Sequence, residues 1–156
     1  MLLVLQGELM SGEFLGTYEN SVHKMRVIIP APLKNKFATS AKSTVVCTVG
    51  LDKSIVIYPL DNWIKWKEMQ KTMTDNKTDI SLVKLMRFFA ATEQKLEGPG
   101  RIRLTEELLD YSGIVDSVII KGEGDFISLW EPANYKKIKK ERLQKLQNYK
   151  PSDYGE

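Results

Sequence analysis

Arg26-Val27-Ile28-Ile29 is matched 75 positions later (101 − 26) by Arg101-Ile102-Arg103-Leu104, and this pair of β-type runs decides how the 156-residue chain is read. In the second run, strand alternation places Arg101 and Arg103 on one side and turns Ile102 and Leu104 toward the core. Working outward, Val46-Cys47-Thr48-Val49-Gly50 aligns with Val118-Ile119-Ile120-Lys121-Gly122 at an offset of 72 (118 − 46). At that same offset Tyr58 meets Trp130 and Trp63 meets Tyr135, so each strand-to-helix join keeps its aromatic-x4-aromatic step. The chain reads as strand–turn–strand–helix–strand–strand–helix, twice. A unit this small cannot close its own core and buries itself against its sibling.

β-branched and aromatic runs bounded by turn residues predict strands over Phe14–Glu19, Arg26–Ile29, Thr44–Val49 and Ile55–Tyr58. In the second copy they predict Glu93–Leu96, Arg101–Leu104, Ser117–Lys121 and Phe126–Trp130. Pro30 and Pro32 open a short helix over Ala31–Ala38. Asp61 or Asn62 is expected to cap a helix carrying Trp63 and Trp66. Asp79–Ala91 predicts a largely buried helix with a wide apolar stripe. Thr105 caps a helix to Tyr111, with Gly113 just past its end, and Glu131-Pro132 starts a last helix to about Tyr149. The expected division is a 1–12 extension, a first repeat with its helix over 13–72, a connecting helix over 73–91, a second repeat with its basic helix over 92–149, and a 150–156 tail.

Composition excludes several classes. Hydrophobic residues are 42% and charged ones 28%, a soluble globular balance rather than a disordered one. The apolar run Met1–Leu5 is far short of the roughly 20 residues of a membrane span and lacks the basic flank of a signal peptide. A single cysteine (Cys47) and a single histidine (His23) leave no disulfide framework, no Cys/His zinc cage and no material for a Cys–His dyad. Gly98-Pro99-Gly100 and Gly122-Glu123-Gly124 lack phosphate-loop spacing and read as hairpin turns. Glu106, Glu107 and Asp110 share a short helix with no convergent partner. No catalytic residue, metal, cofactor or small-molecule substrate is expected, and a reducing cytoplasm is the default location.

Charge is informative by placement. The net +3 comes from 23 basic and 20 acidic side chains, too mild to announce nucleic acid by itself. Lys136, Lys137, Lys139, Lys140, Arg142 and Lys145 crowd the last helix, whereas Glu8, Glu13 and Glu19 lie near the start.

Phe14-Leu15-Gly16-Thr17-Tyr18-Glu19, Lys24-x-Arg26-Val27-Ile28-Ile29-Pro30-Ala31, Gly50-Leu51-Asp52, Ile57-Tyr58-Pro59-Leu60 with Trp63, and Gly100-Arg101-Ile102 together resemble the MraZ family, in order and in both repeats, over roughly residues 13 to 140. The resemblance implies a bacterial transcriptional regulator of the division and cell-wall gene cluster. It also implies a mixed, β-rich α/β fold: two tandem AbrB-type swapped-hairpin repeats forming one pseudo-twofold β-barrel core with flanking helices. The implied partners are double-stranded promoter DNA and further copies of the chain in a ring, without a membrane and with nucleoid association. The family's Asp-x-x-x-Arg turn is altered twice here. The second copy reads Glu97-Gly98-Pro99-Gly100-Arg101, with spacing kept. The first reads His23-Lys24-Met25-Arg26, one residue short, with Met25 where glycine is usual.

On this resemblance Lys24, Arg26, Arg101 and Arg103 are the expected DNA-binding residues, and His23, Glu97 and Gly100 orient the turns. An arginine leaving a tight turn can grip a phosphate, or guanine O6 and N7, with its planar fork. The competing reading is structural, with Arg101 paired to Glu97 and Arg26 to Glu19. Two other functions also stand beside sequence-specific regulation: a weakly specific architectural DNA binder, and an oligomeric scaffold that does not bind DNA. The basic last helix reads mainly as a solvated helix packed by one side, and the tryptophans as core or subunit-contact anchors.

Overall fold

The computed structural model describes residues 3–5, 8–71 and 81–155. The strands are β1 (Leu3–Leu5), β2 (Glu8–Met10), β3 (Thr17–Ser21), β4 (Arg26–Ile28), β5 (Thr44–Val49), β6 (Ile55–Pro59), β7 (Gln94–Lys95), β8 (Arg101–Arg103), β9 (Ser117–Gly122) and β10 (Ile127–Trp130). The helices are α1 (Ala31–Lys34), α2 (Leu60–Lys71), α3 (Leu82–Phe88), α4 (Glu106–Ser112) and α5 (Pro132–Gln147). The architecture is mixed α/β around a six-stranded antiparallel sheet in the order β3-β9-β10-β6-β5-β7. A separate two-stranded ribbon pairs β4 with β8.

The central strands are buried on both faces, which explains their unbroken apolar runs. Alternation sends Val45, Cys47, Ile55, Ile57, Ile127 and Leu129 into the main core. It sends Val46, Val56 and Tyr58 to the opposite face, under Trp63 of α2 and Met86 of α3. Tyr58 lies 5.7 Å from Trp63 and Trp130 lies 6.0 Å from Tyr135, so both predicted aromatic steps are real ring contacts. The ribbon covers the main core, into which Val27 and Ile102 point and are buried.

The expected closed barrel is not formed among the described residues. The sheet stops at β3 on one side and β7 on the other, and the ribbon stands between these edges. At both seams a side-chain amide takes the place of a strand ladder: Asn20 of β3 donates to the Ile28 carbonyl at 2.7 Å, and Gln94 of β7 holds the backbone of Arg103 of β8.

Local differences have local causes. The first strand begins at Thr17 rather than Phe14, because Gly16 takes φ 97° and Phe14 instead bridges to Gly124. The helix predicted over Ala31–Ala38 stops at Lys34. Asp61 is not a cap: α2 starts one residue earlier, and the buried Asp61 carboxylate accepts from Ser11 N (2.9 Å), Ser40 Oγ (2.8 Å) and Asn62 N (3.0 Å). The helix predicted over Asp79–Ala91 runs only from Leu82 to Phe88, behind a Ser81 cap, and Asp79 and Ile80 lie outside the described residues. Its stripe is not buried either. Met86 packs inward, while Leu82, Leu85 and Phe88 are exposed, Phe88 to 79%. The Thr105 cap and the left-handed Gly113 of α4 occur as the sequence predicts.

Candidate nucleic-acid interface

The β4–β8 ribbon is short, and its register places Arg26 opposite Arg103, Val27 opposite Ile102, and Ile28 opposite Arg101. Residues opposite each other in an antiparallel pair share a face, as do alternate residues along each strand. With Val27 and Ile102 pointing into the core, the other face carries Arg26, Ile28, Arg101 and Arg103 at four corners. Ile28, Arg101 and Arg103 are exposed and Arg26 is half-buried. Three predicted guanidinium groups thus stand on one plate, anchored from beneath by two buried aliphatic side chains.

The flanking turns sit at opposite ends of the plate. In the first, His23 N–H donates to the Arg26 carbonyl (2.9 Å) and Arg26 N–H donates back to that of His23 (3.0 Å). Lys24 (φ 52°) and Met25 (φ 65°) both take the left-handed conformation of a two-residue type I′ hairpin turn. This turn favours Asn-Gly or Asp-Gly, so the lysine and the methionine are held there under strain. It also lifts exposed Lys24 beside Arg26, whose Nη1 donates to the Lys24 carbonyl at 3.3 Å.

In the second turn, Glu97 N–H donates to the Arg101 carbonyl (3.0 Å), and the Glu97 carbonyl accepts from Gly100 N (3.0 Å) and Arg101 N (2.7 Å). Gly100 has φ 116°, a conformation that demands glycine, and a Cβ there would lie 3.0 Å from Lys34 Cδ, so the lysine side chain would also have to give way. The turns are tied across the ribbon: Ile29 N–H donates to the Gly100 carbonyl (2.9 Å) and Leu104 N–H to that of Met25 (2.7 Å). His23 and Glu97 shape their turns through backbone bonds. Among the described residues neither Arg101–Glu97 nor Arg26–Glu19 forms an ion pair; Glu19 accepts instead from Ser117 Oγ at 3.2 Å. The arginine forks are not consumed by these carboxylates.

Two positioning residues escape the sequence reading. Gln94 accepts from Arg103 N–H at 2.8 Å and donates to its carbonyl at 2.8 Å, while Asn20 fixes the Ile28 carbonyl. Amides carry no period or charge signal, and the only hint is their place on the two edge strands.

The basic helix α5 lies elsewhere. Tyr135 and Arg142 pack on Trp130, which points to the sheet face opposite the core that the ribbon covers. Its lysines therefore do not extend the arginine plate, and Ile138 alone of its apolar residues is buried. Two clefts of 360 and 450 Å³, both lined by Tyr58, Trp66 and Phe126, lie away from the ribbon. Burial pushes the Cys47 thiol up to about 12, which keeps it protonated and unreactive. Among the described residues no three His, Cys, Asp or Glu side chains gather to hold a metal, and no helix is long and apolar enough to cross a membrane.

A known family and two known sequences are similar to this chain. A family described as "MraZ protein, putative antitoxin-like" matches residues 14–82. A protein of Thermomicrobium roseum named Transcriptional regulator MraZ is 29% identical over 123 residues, covering 78% of this chain and 84% of that one. A protein of Natranaerobius thermophilus with the same name is 28% identical over 136 residues, covering 86% of this chain and 92% of its own length.

Proposed function

We propose that the chain, which is similar to the MraZ family over residues 14–82 and to two regulators of that name, is a sequence-specific DNA-binding transcriptional regulator of that family that reads promoter repeats of the division and cell-wall gene cluster through the outer face of the β4–β8 ribbon. One observation carries this reading: Arg26, Arg101 and Arg103 share a single face on a rigid, core-anchored pair of strands. β-ribbons are an established way to enter a DNA groove. Guanidinium forks on such a ribbon match phosphate oxygens and guanine edges. Exposed Lys24 and the adjacent Arg26 are the primary contacts, with Arg101 and Arg103 completing the plate and Glu97, His23 and Gly100 shaping its ends.

The tandem-repeat reading is supported by the registers. Val56 pairs directly with Ser128, 72 positions on, and Val27 with Ile102, 75 positions on. Equivalent residues that face each other are what a pseudo-twofold axis through two swapped-hairpin repeats requires. The ring is supported by exposed Leu82, Leu85 and Phe88 on α3, apolar surface that a partner subunit would cover. Placement in the cytoplasm on the nucleoid follows from the proposed function.

A gel-shift assay with the DNA upstream of the protein's own gene, against random DNA of equal length, tests the proposal. Preference for the upstream fragment at physiological salt is expected. Equal affinity means an architectural binder, and no binding at low salt means a scaffold.

A further inference from the structure

The arginine plate is asymmetric at one corner. At the 75-residue offset Arg26 corresponds to Arg101, and Ile28 corresponds to Arg103 (103 − 28). Three corners are therefore basic, and the fourth is an isoleucine whose side chain emerges from the same face, 42% exposed and opposite Arg101. Neighbouring Val27 and Ile29 are both buried, so Ile28 is not outward through any lack of apolar partners nearby; strand alternation turns it out among the arginines. Its backbone is held from the sheet edge as that of its counterpart is, by one bond from Asn20 to the Ile28 carbonyl where Gln94 makes two to Arg103.

We propose that Ile28 is a specificity-determining residue that packs on the C5-methyl group of a thymine in the major groove, and so gives the arginine plate a direction along the DNA. The inference rests on the DNA reading of the ribbon. Apolar contact with that methyl is the one base feature in the groove that a hydrocarbon side chain recognises. The Arg26–Arg103 and Ile28–Arg101 rows are two residues apart, about 7 Å along the strands. The thymine therefore falls within a few base pairs of the bases or phosphates that the arginines hold. Four arginines would leave the plate itself alike at both ends, with only Lys24 of the first turn to tell them apart; three arginines and one isoleucine make the plate's own face directional.

The test replaces each thymine of a bound upstream fragment in turn by deoxyuridine, which removes the methyl and keeps every hydrogen-bonding atom. At one position in each bound repeat, the wild type is expected to drop about fourfold in affinity, the worth of one buried methyl. Ile28→Ala should bind thymine and deoxyuridine there equally, and Ile28→Val, which keeps γ-methyl groups, should retain the difference. If no position responds to methyl removal, or if Ile28→Ala keeps the wild-type response, the inference is overturned. Failure of the underlying reading looks different: binding is then absent, or indifferent to Arg26→Ala and Arg101→Ala, and Ile28 falls with it.

Discussion

Met25 shows how a single residue can serve a site at the expense of stability. Its φ of 65°, next to Lys24 at 52°, is a conformation that costs an L-residue about 1–2 kcal/mol. The shortened turn nevertheless stays closed, because His23 and Arg26 exchange two backbone bonds and the Met25 carbonyl accepts from Leu104 N–H. Met25→Gly should therefore raise stability by about 0.5–1 kcal/mol, read as a higher urea midpoint at unchanged slope. A lower midpoint would mean that packing of the half-buried methionine side chain outweighs the relief. The family resemblance marked this position as one where glycine is usual, but the geometry of the shortened turn was not legible from the sequence. Nor was the cross-ribbon bond that sustains it, since it joins residues 79 positions apart (104 − 25).

At the scale of elements, legibility follows the range of the forces involved. β5 was read to the residue and α4 together with its Thr105 cap and Gly113, because local propensity and capping decide them. Alternation also placed Arg101 and Arg103 correctly on one side. The sequence did not show that β4 pairs with β8, which turns two separate basic turns into one plate, because that pairing is set by burial of Val27 and Ile102 in a shared core. The α3 stripe misled for a related reason: Leu82, Leu85 and Phe88 have the same period whether a helix faces its own core or is left open. The amide seams yield a prediction of their own. Gln94→Ala removes two hydrogen bonds that hold the Arg103 backbone and should cost about 1–2 kcal/mol of stability. It should also weaken DNA binding although Gln94 is not placed as a DNA contact, and Gln94→Asn, with a shorter reach, should not restore either. Unchanged affinity in Gln94→Ala would show that the ribbon needs no clamp.

The whole molecule separates its tasks. The six-stranded sheet has the arginine ribbon on one face and α2, α3 and α5 on the other, so the candidate DNA surface and the exposed apolar helix lie on different sides. A ring built through the helical side would repeat the plate around its rim, and several subunits would engage successive repeats through effective concentration. Light scattering should then return a multiple of 17.8 kDa, and the monomer mass at every concentration from micromolar to millimolar would refute the ring. The central claim, that the ribbon's outer face is the DNA surface, is tested most directly by the salt dependence of promoter binding for the wild type, Arg26→Ala and Arg101→Ala. Because these side chains lie outside the core, both variants should unfold within about 0.5 kcal/mol of the wild type. Arg26→Ala should abolish promoter binding at physiological salt and, at low salt, reduce the slope of log affinity against log salt by about 0.9 for each phosphate that the side chain had neutralised. Normal binding by Arg26→Ala with impaired binding by Arg101→Ala would move the primary DNA grip to the second turn, and normal binding by the double variant would contradict the account.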